Sequence, residues 1–161
     1  MTTLAALALA LALAASLVAI APVVAVAPVV AVANEVAPRP SAPVTTPAEE
    51  EYNKGIRAKR SKEWSVATAS FRKATELKPD YAEAWNELGY ALRNTGNYPE
   101  SIKAYDEALR LRPRFPEALE YLGEAYVKMG RLDDARQVLE RLKPLDRGRA
   151  KELADEIAKA K

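Results

Sequence analysis

The stretch "WNELGYALRNTGNYPESIKAYDEALRLRP", Trp85 to Pro113, contains no His and no Cys. Its apolar residues nevertheless fall at fixed intervals. Trp85, Leu88 and Leu92 sit at i, i+3 and i+7, one face of a helix, and Tyr98, Ile102, Tyr105 and Leu109 form a second stripe at i, i+4, i+7 and i+11. Between the stripes, "NTGN" supplies a stop and a start. Gly96 suits a left-handed helix end, and Asn97 with Glu100 three residues on suits an N-cap with a reciprocal box. The pairs Asp80/Glu83 and Thr46/Glu49 repeat that start signal. Pro79 and Pro113 close the second helices, because proline has no N–H and its ring blocks the preceding turn.

The pattern recurs at an offset of 34 residues, in units beginning at Ala48, Ala82 and Pro116. The middle unit reads Trp85-x2-Leu88-Gly89, Gly96, Tyr98, Ser101-x3-Tyr105, Ala108 and Pro113. The first has Gly55, Trp64, Ala67-x3-Phe71, Ala74 and Pro79 at the same places. The third has Leu119-x2-Leu122-Gly123-x2-Tyr126, Gly130, Leu132 and Ala135-x3-Leu139. Gly89 and Ser101 are small where two antiparallel helices would approach closely. The end units depart from the pattern. Glu51 and Lys54 replace Trp85 and Leu88, and Pro144 arrives early in the third unit. Beyond it, Ala150, Leu153, Ala154 and Ile157 line one stripe of a further helix that would cover the last unit.

A 34-residue period with these residues resembles the tetratricopeptide repeat, over residues 48 to about 147. The resemblance implies an all-α, right-handed helix-hairpin solenoid. Its repeats would be 48–81, 82–115 and 116–147, with a capping helix at about 147–160. It further implies a concave face lined by the first helix of each pair. Glu49, Tyr52, Ile56, Lys59 and Arg60 would come from the first unit. Glu83, Asn86, Tyr90, Arg93 and Asn94 would follow, then Glu117, Glu120, Glu124, Val127 and Lys128. Of these, Tyr52, Ile56, Lys59, Asn86, Tyr90, Arg93, Glu120 and Glu124 are the expected partner-binding groove. Acidic residues gather where these helices begin and basic ones where they end, which implies one acidic and one basic rim; the same layout also suits the helix dipoles. Tyr52, Ile56, Asn86 and Tyr90 between them form an apolar and amide floor for an extended peptide or a helix. Family members that grip a chaperone's C-terminal carboxylate use Lys, Asn and Arg at positions held here by Tyr52, Ile56, Glu87, Glu117 and Tyr121. That ligand is not expected, since two glutamates repel a carboxylate.

Composition sets the remaining bounds. Of 24 Lys+Arg and 22 Asp+Glu, only Arg39 and Glu35 fall in the first 47 residues. A net charge of +2 argues against a dedicated nucleic-acid binder. The basic runs 57–62 and 110–114 are better read as helix-end charges. Without His or Cys, Ser–His and Cys–His nucleophiles, Cys-ligated metals and disulfides are unavailable. Glu49-Glu50-Glu51 and Asp133-Asp134 are the densest carboxylates, and both lie at helix starts where acid is favoured anyway. No metal, cofactor or catalytic activity is expected.

The N-terminal segment has a different character. Leu4 to Ile20 is an unbroken apolar or small run, Pro22 and Pro28 punctuate a duplicated "APVVAV", and Ala31-x-Ala33 offers a small-residue cleavage pattern. Residues 1–33 therefore resemble a bacterial export signal cleaved after Ala33, and the protein is expected to be periplasmic or secreted. The run exceeds the about 7–15 apolar residues of an ordinary signal core, so an uncleaved inner-membrane anchor through residues 4–32 stands beside that reading. Prolines at 38, 40, 43 and 47 make residues 34–47 an extended tether. The function expected is a non-catalytic adaptor for a protein segment in envelope complex assembly. A self-assembling module or membrane-anchored scaffold is the alternative, with homo-oligomers formed through the repeat ends and convex faces.

Overall fold

The computed structural model describes residues 45–160, and the expected signal or anchor and most of the tether lie outside them. Seven helices follow: α1 Pro47–Arg60, α2 Trp64–Leu77, α3 Ala82–Asn94, α4 Tyr98–Leu111, α5 Pro116–Lys128, α6 Leu132–Leu142 and α7 Arg147–Lys159. The all-α helix-hairpin fold is as the periodicity requires. Consecutive helices pack as pairs α1/α2, α3/α4 and α5/α6, and α2 meets α3 as α4 meets α5. α7 packs on both α5 and α6, where the first helix of a further pair would lie.

The first two pairs close through the same kind of interhelical approach. A Cβ on Gly55 would stand 2.5 Å from the Phe71 ring, and one on Gly89 2.6 Å from the Tyr105 ring. Both rings are fully buried. In the third pair the partner changes: Gly123 faces Leu153 of α7, not Leu139 of α6. The cap thus plugs into the last repeat instead of merely covering it. Phe71, Leu88 and Leu92 anchor one apolar cluster, and Leu119, Leu122, Leu142 and Leu153 anchor a second. Trp85 packs against both, so the two clusters read as one continuous core. Its indole N–H donates to the Pro79 carbonyl at 2.9 Å, which ties it to the turn before its own helix.

The turns repeat as well. The backbone N–H of Glu63, Asn97 and Arg131 donates to the carbonyl of Ala58, Leu92 and Tyr126, the 6→1 bond of a Schellman ending. Gly96 (φ 80°) and Gly130 (φ 72°) provide the left-handed residue, and in the first repeat Lys62 takes that role at φ 58°. An L side chain there is disfavoured by about 1 kcal/mol. Lys62→Gly should therefore raise stability by about 1 kcal/mol, and Gly96→Ala should lower it by about as much. Urea midpoints measure both. A destabilised Lys62→Gly would mean that the lysine side chain does more than occupy a turn.

The helix starts agree only in part with the sequence signals. Thr46 and Glu49 form a full capping box, with Thr46 Oγ1 accepting from the Glu49 N–H and the Glu49 carboxylate accepting from the Thr46 N–H at 2.8 Å. At α4, Asn97 accepts from the Glu100 N–H, but its own N–H is committed to Leu92, so the box is half made. At α3 the expectation fails. Tyr81 is the N-cap residue and makes no side-chain cap, because the helix starts one residue too late for Asp80. Glu83 pairs instead with Arg112 beyond the end of α4.

Candidate functional site

Helices α1, α3 and α5 are the first members of their pairs. α3 touches α5 directly, whereas no comparable contact joins α2 to α4 or α4 to α6 among the described residues. α3 and α5 therefore lie closer together than α2 and α4 or α4 and α6, which puts these first helices on the inner side of the stack.

That inner face carries a row of rings. Tyr52 on α1 packs at 5.7 Å from Phe71 and 5.0 Å from Tyr81. Tyr90 on α3 stands 5.9 Å from Trp64 and 5.1 Å from Tyr121 of α5. Cations sit over the second group: Lys59 Nζ lies 4.4 Å from the Tyr90 centroid, and the Arg93 guanidinium 5.3 Å from Tyr90 and 5.0 Å from Tyr121. Ile56 is half-buried against the first apolar cluster. Of these rings, Tyr81, Trp64 and Tyr121 were not among the expected groove residues. Tyr81 ends an inter-helix turn and Trp64 opens a second helix, so a stripe drawn along first helices misses both.

The charges are largely used internally. Lys59 Nζ is 2.6 Å from the Glu87 carboxylate, Arg93 pairs with Glu124, and Arg149 of α7 pairs with Glu120. Each pair joins one first helix to the next, with α7 standing in for a fourth. The acidic and basic rims thus partly cancel across the repeat junctions. What remains without a salt bridge among the described residues includes Glu117 at the acidic side, with Arg60 and Lys128 at the basic side. Glu117 accepts a hydrogen bond from the Tyr121 hydroxyl at 3.3 Å.

Two expected groove residues are buried. Asn86 is 1% exposed and Glu120 3% exposed. Both occupy the same place in their repeats, and Glu120 is sealed there by Arg149 of α7. Tyr52, Ile56, Lys59, Tyr90, Arg93 and Glu124 lie half-buried along the inner face.

Burial is the leading influence on the titratable groups of this face. Burial, then Glu117 and the neighbouring Tyr90, push the Tyr121 hydroxyl up to about 12. Burial and the glutamates Glu87, Glu83 and Glu117 raise Tyr52 as well. Both tyrosines therefore stay protonated at neutral pH and act as hydrogen-bond donors, not bases. Burial raises the Glu87 carboxyl, Lys59 opposes that, and Glu117 adds to it. No group of acidic side chains among the described residues is assembled to hold a metal ion.

Comparison with known families and structures agrees with this architecture. A TPR repeat model matches residues 89–130, and two tetratricopeptide repeat models match residues 70–103 and 118–151. No curated protein sequence matches the chain. Among solved structures, the TPR2B domain of yeast Sti1 in a pHsp70 complex superposes with a TM-score of 0.66 at 21% identity, covering 70% of this chain and 94% of that one. The TPR domain of Arabidopsis OM64 has a TM-score of 0.66 at 18% identity, with coverage of 70% and 94%. The first TPR of Spaghetti (RPAP3), bound to the HSP90 peptide SRMEEVD, has a TM-score of 0.66 at 17% identity, with coverage of 70% and 91%. At these identities the likeness is one of fold.

Proposed function

The helical domain is built of tetratricopeptide repeats, and from that premise we propose that it is a non-catalytic adaptor which holds a peptide or helix of a partner protein on the α1, α3 and α5 face. The observation that carries this reading is the row of half-buried rings Tyr52, Tyr81, Tyr90 and Tyr121 along that face. Half-buried tyrosines offer large, rigid contact area together with a hydroxyl donor, the combination that anchors interfaces. The structural neighbour bound to an HSP90 peptide supports a peptide-sized ligand. The partner differs in kind from that peptide, because Tyr52, Ile56, Glu87, Glu117 and Tyr121 carry no cation with which to hold a terminal carboxylate. Residues 1–33 support export, so the adaptor acts in the bacterial envelope, in assembly or upkeep of a complex.

A photo-cross-linking side chain introduced at Ile56 or Val127 tests the groove. Adducts with one protein are expected from those two positions and not from Lys103 on the outer helix α4. Equal adducts from Lys103, or none from the inner face, would count against the reading. Intact mass of the soluble and membrane fractions tests export: a soluble species beginning at Asn34 is expected, and full-length protein in the cytosol would exclude it.

A further inference from the structure

The two basic runs of the sequence, 57–62 and 110–114, look alike along the chain and differ in the folded protein. In the second run Arg110 bonds to Glu107 at 2.8 Å and Arg112 pairs with Glu83, which leaves only Arg114 without an acidic partner. In the first run only Lys59 is used internally, by Glu87. Arg57, Arg60 and Lys62 are exposed and form no ion pair among the described residues, and Glu63 is the one acid of the turn they surround. The helix dipole does not account for this excess. α3 and α5 each meet it with one basic residue in the last turn, Arg93 and Lys128. α1 carries Arg57, Lys59 and Arg60 there, and Lys62 follows beyond its end.

Two further observations fall on the same turn. Lys62 holds, at φ 58°, the left-handed conformation that the other two repeats give to Gly96 and Gly130, so a lysine is kept where the backbone favours glycine. Val66, in the first turn of α2, is 42% exposed beside half-buried Trp64, and an open cleft runs from both to Asn94 and Thr95 at the end of α3. The α5–α6 turn, at the same place in its repeat, adds exposed Lys128 and Met129. Val66 and Met129 are two of the three exposed large apolar side chains among the described residues. This edge of the stack therefore presents free cations interleaved with apolar side chains.

We propose that this edge rests on the surface of an anionic lipid bilayer. Arg57, Arg60 and Lys62 meet lipid phosphates, while Val66 enters the boundary between headgroups and acyl chains. A duplex nucleic acid offers phosphates but no apolar layer for Val66 and Met129. The contact is separate from the groove on the α1, α3 and α5 face, and neither reading depends on the other.

Full-length protein is mixed with vesicles of phosphatidylcholine alone, or of phosphatidylcholine and phosphatidylglycerol in about equal parts, and the bound fraction is measured by flotation. The first 47 residues carry only Arg39 and Glu35, so the apolar segment contributes alike to both and the difference between the two lipids reports the helical domain. Binding to the anionic vesicles should be about tenfold tighter or more, and should lose that advantage at about 0.5 M salt. Arg60→Gln with Lys62→Gly should remove most of the advantage, although Lys62→Gly by itself is expected to stabilise the fold. Arg110→Gln with Arg114→Gln removes the same number of charges and should leave it nearly whole. Val66→Ser should weaken anionic binding about threefold. Urea midpoints check that each variant is folded. An equal loss from the two double variants would make net charge the cause and overturn the site, as would equal binding to the two lipids. A short DNA duplex held as tightly as the anionic vesicles, with no effect of Val66→Ser on either, would assign the edge to polyanions at large and overturn the bilayer.

Discussion

Tyr105→Ala should remove about 3–5 kcal/mol of stability, read as a lower urea midpoint at unchanged slope. Tyr105 is the largest fully buried side chain, and its ring fills the space that Gly89 leaves between α3 and α4. It also reaches within 6.1 Å of the Tyr121 ring, so its loss loosens the junction to the third repeat as well. A solenoid passes stability from neighbour to neighbour, which makes the middle repeat the most damaging place for a cavity. Tyr105→Phe separates the ring from its oxygen. With the ring kept and an unpartnered buried hydroxyl gone, stability should hold or rise by about 1 kcal/mol. A loss from Tyr105→Phe comparable to that from alanine would show that the hydroxyl, and not the packing, carries the effect.

Arg149→Met should be the other large loss, about 2–3 kcal/mol at neutral pH. Glu120 is 3% exposed and Arg149 is its cation, so the substitution strands a carboxylate inside the junction between α5 and α7. The figure stays below that for a fully sealed pair because the Arg149 side chain is itself 37% exposed. Burial already raises the Glu120 carboxyl even with Arg149 in place. Without the guanidinium it rises further. A carboxyl raised in the folded state binds its proton more tightly there than in the unfolded chain, so folding gains as pH falls and loses as pH climbs through the folded value. The variant should accordingly approach the wild type in acid and diverge from it above the ordinary carboxylate range. Adding Glu120→Met should restore most of the loss at pH 7, since an apolar side chain of similar size needs no cation. A deficit that ignores pH would mean that the Arg149 stem, through packing, matters more than its charge.

Much of this molecule can be read along the chain, and the parts that can share a cause. The seven helices, the left-handed Gly96 and Gly130, the Thr46–Glu49 box and the close approach at Gly89 all depend on residues a few places apart, or on a repeat that states the same packing three times. The inner face is legible to the same extent: helical spacing puts Tyr52, Lys59, Tyr90 and Arg93 on one side. Neighbours one repeat away decide the rest. Lys59 finds Glu87, Arg93 finds Glu124 and Arg149 finds Glu120 only after the pairs stack, and each match removes charges that the linear pattern leaves on an open rim. Glu120 looks like a groove residue by spacing and is buried where Arg149 of α7 meets it, and Asn86, at the same place in its own repeat, is buried too. Gly123 turns from Leu139 to Leu153 for the same reason. Sequence periodicity determines which way a side chain leaves its own helix. Only the tertiary structure decides what meets it there, because that depends on the rise and rotation from one repeat to the next, and those come from the packing of large side chains against small ones across the junction.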